Sequence, residues 1–257
     1  MSQKIAYVTG GMGGIGTAIC QRLHKEGFRV IAGCGPTRDH AKWIAEQAAL
    51  GYTFYASVGN VGSWESTVEA FTKSKAEHGS IDVLVNNAGG APFAAAATAS
   101  PRFSESIIRL NLIAPLNFSQ VANRVMQEQD QGGCIINIAS VSTIRPSPGT
   151  AAYGAAKAGL VNLGTSLAVE WAPKVRVNAL VVGLTETEQA HLHYGDKDGI
   201  AAVGATIPLG RMAVPTDVGN ACLFLASKLA SYVSGTNFAV HGGGEKPAFL
   251  NAANVKS

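Results

Sequence analysis

Charged residues are scarce in this chain of 257 residues: Asp, Glu, Lys and Arg together make up 14%. The net charge is only +3, without a run of like charge that would suit a nucleic-acid or membrane-surface site. The Ala-rich stretch 91–99 is too short to form a transmembrane helix. Met1 is followed almost at once by a strand-like apolar run, so we expect no signal peptide and a cytoplasmic protein.

Cysteine is rarer still, and the chain contains no C-x-x-C pair. The four cysteines are far apart, at Cys20, Cys34, Cys134 and Cys222. Three of them lie among apolar residues, so we expect buried free thiols rather than disulfides or metal ligands. His191 and His193 form an H-x-H pair without a third ligand at a clear spacing, and we expect a polar surface there rather than a metal site.

Apolar residues (47%) and glycine (30 residues) are abundant, as in a compact, enzyme-like protein. Short strand-like runs alternate with longer helical patterns, and several of these runs are apolar on both faces, as parallel strands covered by helices are. The predicted strands are 4–9, 29–34, 52–57, 81–86, 134–139, 175–182 and 237–241. This alternation predicts a single-domain α/β protein with a doubly wound Rossmann fold and a mostly parallel seven-stranded sheet.

A glycine-rich loop, "TGGMGGIG" (9–16), follows the first predicted strand and opens a helix. Gly10, Gly14 and Gly16 have the spacing G-x-x-x-G-x-G. Without Cβ atoms the backbone can approach a pyrophosphate closely, and a helix N-terminus attracts its charge. Sharp turns also use glycine, so the position of the loop at the first strand–helix junction is what favours a dinucleotide site.

The second predicted strand ends without an acidic residue, at Cys34, Gly35 and then Arg38. An acid there would hold the free ribose hydroxyl of NAD and would repel a 2′-phosphate. Cys34 and Gly35 leave room for a phosphate, and Arg38 supplies a forked cation, although it could also be a solvated loop residue. The sequence therefore favours NADP(H) over NAD(H).

A second group of polar residues follows in "AAYGAAKAGL" (151–160), where Tyr153 and Lys157 share one face of a predicted helix. A tyrosine with a pKa of about 10 is a poor acid or base at neutral pH unless a cation stabilises its phenolate. Lys157 is such a cation. Ser140 lies at the carboxyl end of the predicted strand 134–139, where its hydroxyl can polarise a substrate carbonyl for hydride attack.

Taken together, four motifs resemble those of the short-chain dehydrogenase/reductase family, to about His241. They are T-G-x-x-x-G-x-G at 9–16, N-N-A-G at 86–89, a serine at 140 and Y-x-x-x-K at 153–157. The resemblance implies that Tyr153 donates the proton in carbonyl reduction and that Ser140 orients the carbonyl. It further implies that Lys157 lowers the pKa of Tyr153 and holds the nicotinamide ribose, and that Asn111 supports a water linking Lys157 to solvent.

The resemblance also implies a cofactor site. Asn60 and Val61 would pack the adenine, Asn87 would steady the central strand, and Thr187 would bind the carboxamide. Val182 departs from the family's usual proline before glycine, and it cannot fix φ as proline does. The full predicted cofactor set is Gly10, Gly14, Ile15, Gly16, Gly35, Arg38, Asn60, Val61, Asn87, Ala88, Gly89, Tyr153, Lys157, Gly183 and Thr187.

Two substrate classes remain open. The first third of the chain, notably 4–23 and 30–36, resembles NADPH-dependent acetoacetyl-CoA reductases, whereas the remainder resembles a different branch of the family. An apolar pocket lining is predicted from Pro92, Phe93, Ile144, Leu184, Leu192 and Tyr194. Such a lining suits a hydrophobic ketone or aldehyde, while Arg145 is either a contact for a CoA phosphate or a solvated rim residue.

We therefore expect an NADPH-dependent carbonyl reductase, reversible as an alcohol dehydrogenase. The alternative is an acetoacetyl-CoA or 3-oxoacyl-thioester reductase, and a non-catalytic cofactor-binding scaffold comes third, since a scaffold would be expected to lose the Tyr or Lys of the site. Within one domain, 1–89 would mainly bind the cofactor, 90–241 would hold the catalytic and substrate site, and 242–257 would be a tail. The apolar helix around 151–172 suggests a homotetramer or dimer, although a fully buried helix would look similar.

Overall fold

A single sheet of seven strands organises the computed structural model, which describes residues 3–252. The strands are β1 (Ile5–Val8), β2 (Arg29–Cys34), β3 (Phe54–Val58), β4 (Val83–Asn86), β5 (Gly133–Ser140), β6 (Val175–Val182) and β7 (Asn237–Val240). The α-helices of this part are α1 (Gly14–Lys25), α2 (His40–Ala49), α3 (Trp64–His78), α4 (Pro101–Ile108), α5 (Ala114–Glu128), α6 (Ala151–Glu170), α7 (His191–Tyr194), α8 (Lys197–Thr206), α9 (Pro215–Ala226) and α10 (Phe249–Ala252). A π-helical turn spans Arg109–Ile113, and 3₁₀ turns span Val141–Thr143 and Lys228–Ala230.

The strand order is β3-β2-β1-β4-β5-β6-β7, and every pairing between these strands is parallel. The order reverses between β1 and β4, where the chain returns to the centre of the sheet. The backbone N–H of Thr9 donates to the carbonyl of Val85 at 3.0 Å across this point. The predicted doubly wound fold is confirmed, and its crevice for ligands lies at the carboxyl ends of β1 and β4.

Alternating side chains of β1 serve two separate cores. Ala6 and Val8 belong to the core beneath α1 and α9, whereas Ile5 and Tyr7 belong to the core beneath α3, α5 and α6. Successive side chains of a strand point to opposite faces, so a run that is apolar throughout must be covered on both sides. The sheet is thus held between two helical layers, which gives the residues at its carboxyl edge a rigid base.

All four cysteines are buried free thiols, as predicted. Burial raises the pKa of the thiols of Cys20, Cys134 and Cys222, which pack in the core beneath α1 and α9. Cys34 is also buried and ends β2.

Between residues 3 and 252, no helix is long and apolar enough to cross a membrane. The tail predicted over 242–257 is described as far as Ala252, and residues 253–257 lie outside the described part. Phe249 and Leu250 at its α10 helix are exposed rather than packed on this chain.

Candidate active site

The loop between β1 and α1 needs its glycines. Gly10 has a φ of +60°, and a Cβ on Gly16 would collide with the carbonyl oxygen of Gly10. The side-chain amide of Asn87 donates to the carbonyls of Thr9 (3.1 Å) and Gly10 (3.0 Å). Residues after β4 therefore hold the loop in the shape that leaves the first N–H groups of α1 free for an anion.

A cleft of about 440 Å³ opens beside this loop. It brings together ten of the predicted cofactor residues: Gly10, Gly14, Ile15, Gly16, Gly35, Arg38, Asn87, Ala88, Gly89 and Thr187. Its other lining residues are Met12 and Gly13 of the predicted loop, Cys34 at the predicted end of β2, and Gly33, Glu188 and Gln189, which the sequence does not indicate. The cleft follows the carboxyl ends of β1, β2 and β4, which is where a dinucleotide binds in this topology.

Five predicted cofactor residues lie elsewhere, and two of them, Tyr153 and Lys157, line a neighbouring cavity. Asn60 and Val61 line a small adjoining cavity that also contacts Cys34, and Gly183 lines the neighbouring cavity at Tyr153. The Asn60 side chain accepts the backbone N–H of Gly62 at 2.9 Å, so it serves the turn of its own loop.

The end of β2 carries a cation without a competing acid. Arg38 lines the cleft, and its Nη2 donates to the carbonyl of Met12 at 2.9 Å. The nearest acid in sequence, Asp39, caps α2 by accepting the backbone N–H of Lys42 at 3.0 Å. The carboxylate of Asp39 is thus engaged in the helix cap, and the guanidinium faces the rim beside Cys34.

Glu188 places a carboxylate where the sequence analysis expected only phosphate. A Cβ built on Gly14 would lie 2.6 Å from Glu188 Oε2, so this carboxylate lies against the first residue of α1. A negative charge at a helix N-terminus is favourable. No local pattern predicts this contact, because Glu188 reaches the glycine loop only through the fold of the segment after β6.

A second cavity of about 560 Å³ adjoins the cleft and contains the predicted catalytic group. Both cavities share Ile15, Asn87, Gly89 and Thr187. Ser140, Tyr153 and Lys157 line the second cavity. They meet there because β5 ends, and α6 begins, at the carboxyl edge of the sheet.

The pKa of Tyr153 is raised rather than lowered. Burial is the largest cause, a hydrogen bond with Ser140 lowers the pKa in part, and the nearby Tyr194 raises it further. The net shift is upward, and a lowering of this pKa by Lys157 stays a prediction. Its ammonium is directed to a backbone carbonyl, and the desolvation of the phenol outweighs the available stabilisation of a phenolate.

Lys157 is fully enclosed and donates a hydrogen bond from Nζ to the carbonyl of Ile138 at 2.8 Å. Its Nζ lies 5.6 Å from the centre of the Tyr153 ring. Burial lowers the pKa of Lys157 from 10.5 to about 8, because the charged form is poorly solvated.

Asn111 lies beneath this group rather than in the cavity wall. It is buried in the π-helical turn, accepts the N–H of Gly90 at 2.9 Å and donates to the carbonyls of Gly90 and Ile107, both at 2.9 Å. A Cβ on Gly89 would meet both Asn111 Oδ1 (2.6 Å) and Lys157 Nζ (3.1 Å). Asn111 thus fixes the chain after β4 next to Lys157.

The lining of the second cavity is more polar than predicted. Of the six apolar residues expected, Phe93, Leu184 and Tyr194 line it, whereas Pro92, Ile144 and Leu192 do not. The hydroxyls of Ser142, Ser147 and Thr150 line it as well and bond to one another. The 3₁₀ turn after β5 ends at Thr143, and the side chain of Ile144, which follows it, is exposed.

The two histidines of the H-x-H pair separate. His191 Nδ1 lies 3.0 Å from the carbonyl of Glu188, and His193 lines the second cavity. Over the described range 3–252, no cluster of three or more His, Cys, Asp or Glu side chains could hold a metal ion.

The profile of a protein family described as enoyl-(acyl carrier protein) reductase matches residues 10–245. The chain belongs to the short-chain dehydrogenase/reductase family. This short-chain dehydrogenase/reductase is 41% identical over 245 residues to an acetoacetyl-CoA reductase of Cupriavidus necator, covering 95% of this chain and 98% of the relative. It is 35% identical to a 3alpha-hydroxysteroid dehydrogenase of Mediterraneibacter gnavus, over 94% and 97% of the two chains.

Solved structures agree with the fold of this short-chain dehydrogenase/reductase. A variant of actinorhodin polyketide ketoreductase, solved with NADPH, is similar with a TM-score of 0.88 and 28% identity, over 94% of this chain and 97% of that one. The chain is an oxidoreductase of this family. Its similarity to the acetoacetyl-CoA reductase runs well beyond the first third of the sequence.

Proposed function

We propose that this oxidoreductase is an NADPH-dependent carbonyl reductase that also works in reverse as an alcohol dehydrogenase. The observation that carries the proposal is the meeting of Ser140, Tyr153 and Lys157 in one cavity that adjoins the glycine-loop cleft. A ketone or aldehyde in this cavity would have a hydroxyl pair at its oxygen and the cleft on its other side.

The cleft fits NADPH in its chemistry. A Cβ would fill the loop at Gly16, the first turn of α1 offers N–H groups, and Arg38 supplies a cation near Cys34. We assign the predicted cofactor residues this role, with Asn60, Val61 and Gly183 at its margins. When bound, NADPH supplies the hydride.

The protein's own residues would handle the proton and the carbonyl. The hydroxyl of Ser140 hydrogen-bonds the carbonyl oxygen and orients it, and the hydroxyl of Tyr153 donates the proton. The raised pKa of Tyr153 keeps the phenol protonated, as a proton donor must be. Lys157 stabilises the phenolate that remains after transfer, and Asn111 positions the chain beside it.

A 3-oxoacyl-thioester reductase is the second candidate, and acetoacetyl-CoA is its first substrate to test. The identity of 41% to the Cupriavidus necator enzyme, over 95% of this chain, favours it. A non-catalytic scaffold is disfavoured because all three reacting side chains are present. The homotetramer or dimer, the cytoplasmic location and the division at residues 89 and 241 stay predictions.

The test is NADPH consumption with acetoacetyl-CoA beside free hydrophobic ketones, under identical conditions. We expect Y153F to lower turnover at least about 100-fold while NADPH binding, followed by its fluorescence, persists. Y232F is the matched control, because Tyr232 is fully exposed. Turnover of Y153F near the wild-type rate would refute the mechanism, and preference for the thioester would favour the second candidate.

A further inference from the structure

Arg145 brings a positive charge into the substrate cavity. It follows the 3₁₀ turn after β5 and lines the same cavity as Ser140 and Tyr153. The sequence allows two roles for it, a phosphate contact or a solvated rim residue. In the structure about a third of its side chain is exposed, so one side of the guanidinium faces protein.

The partner of Arg145 is a carboxylate from the C-terminal segment. Arg145 Nε lies 2.8 Å from Glu245 Oε1. Within the described residues, Nε is nevertheless shielded from solvent and lacks an acceptor in line with its N–H. Because the Nε–H is not aligned with Glu245 Oε1, this short contact is a charge pair without a directed hydrogen bond. Glu245 thus neutralises Arg145 without the geometry of a bidentate carboxylate pair.

Tyr194 connects this ion pair to the reacting group. Burial raises the pKa of Tyr194, the charge of Arg145 lowers it and the charge of Glu245 raises it again, so the phenol lies close to both. Tyr194 also raises the pKa of Tyr153. Arg145, Tyr194 and Tyr153 line the same cavity.

Glu245 is attached to the fold through three consecutive glycines. Gly242, Gly243 and Gly244 have φ values of +64°, +95° and +84°. Only glycine adopts these values at little cost, and they make a tight turn in which the N–H of Gly244 donates to the carbonyl of His241 at 3.0 Å. Beyond it the chain is exposed, and the Glu245 carboxylate can leave Arg145 for water.

We propose that Arg145 binds an anionic group of the substrate, a carboxylate or a phosphate, and that Glu245 occupies this position until the substrate displaces it. The inference deepens the proposed function and rests on it. A carbonyl compound with a negative group would exchange an unaligned carboxylate for a forked, directed contact. A neutral ketone would leave the Arg145–Glu245 pair in place and gain nothing from it.

The test compares kcat/KM for acetoacetate, its neutral ethyl ester and acetoacetyl-CoA with NADPH. Wild type, R145Q and E245Q are measured with K246Q as the control. K246Q removes one positive charge, as R145Q does, at the residue after Glu245. We expect the acid-to-ester ratio to fall at least tenfold in R145Q, to rise at least threefold in E245Q and to stay within twofold in K246Q.

The three compounds distinguish a substrate carboxylate from a substrate phosphate, and a failure of this inference from a failure of the proposed function. If the thioester-to-ester ratio moves in this way instead, the anionic group is a phosphate of the thioester. Equal shifts for all three compounds in R145Q and E245Q would make the pair merely structural and overturn the inference. Reduction of the ester alone by the wild type would overturn it while sparing the proposed function. If none of the three is reduced while a free hydrophobic ketone is, the inference is overturned and the proposed function stands. If no carbonyl compound is reduced, both fail. Should R145Q not fold, the opposite change in E245Q still decides.

Discussion

The Lys157 ammonium and the Tyr153 ring lie one helical turn apart on α6, with Nζ 5.6 Å from the ring centre. The same ammonium is buried and bonded to the carbonyl of Ile138. A charge so enclosed costs stability, and in the mechanism that we propose it stabilises the Tyr153 phenolate.

The variant K157M is expected to be inactive but more stable. The pKa of Lys157 is 10.5 in the unfolded chain and about 8 in the fold. The lowered pKa thus corresponds to a cost of about 3 kcal/mol in the free energy of unfolding of the wild type at pH 7. K157M avoids this cost but loses the hydrogen bond to Ile138, which contributes about 1 kcal/mol. Unfolding takes up a proton between these pKa values, so the stability of the wild type relative to K157M should rise from about pH 8 to pH 10.5.

Urea unfolding at pH 7 and pH 10 measures this difference. K228M, which removes an exposed lysine, serves as the control and should show no such pH dependence. A constant gap between wild type and K157M at both pH values would contradict the low pKa.

The variant E188Q is expected to bind NADPH more tightly. The carboxylate of Glu188 lies against the first residue of α1, so it adds a negative charge to the cleft that we assign to phosphates. Because the side chain is exposed and screened, we expect a gain of only about threefold in affinity, shrinking with salt. Titration by NADPH fluorescence checks it, with E186Q as the control two residues away. Unchanged affinity in E188Q would show that the carboxylate moves aside freely.

The preference for NADPH over NADH should depend on Arg38. We expect R38Q to lower the ratio of kcat/KM for the two cofactors at least about tenfold, since a forked contact to phosphate is lost. C34D, which introduces an acid at the end of β2, should lower this ratio further. K42Q removes a charge from α2 outside the cleft and should leave the ratio as it is. Equal ratios in wild type and R38Q would assign Arg38 to its bond with Met12 alone.

Adding one methyl group at Gly16 should disrupt the loop. The Cβ of G16A would meet the carbonyl of Gly10, a backbone atom that cannot rotate away. We expect a loss of about 1–3 kcal/mol in the free energy of unfolding, together with loss of NADPH binding. A Cβ at Gly35 meets no atom within 4 Å, so G35A should unfold like the wild type. Thermal and urea unfolding of the pair would test this contrast.

The strands were predictable because burial on both faces leaves a continuous apolar run. β2 and β6 begin and end at the predicted residues, 29–34 and 175–182. Ser140, Tyr153 and Lys157 could be placed together for a related reason, since the carboxyl ends of parallel strands share one edge. Local pattern and topology sufficed for these features.

Contacts between distant loops could not be predicted from the sequence. Glu188 at Gly14 and Glu245 at Arg145 depend on where the segments after β6 and β7 return to the sheet. The hydrogen bonds between the Asn111 side chain and Gly90 likewise join segments that are distant in sequence. The apolar lining was overestimated because the exposure of Ile144 has no local signal.

The reactivity of the buried thiols reports how often the structure around them opens. A maleimide in solution can alkylate a thiol only when the structure around it parts, so the labelling rate of Cys20, Cys134 or Cys222 follows the opening of the core. Cys34 is different, because it also lines the cleft assigned to NADPH. Its alkylation, located by peptide mass, would slow when the cofactor covers the cleft while the other three follow only the unfolding of the chain.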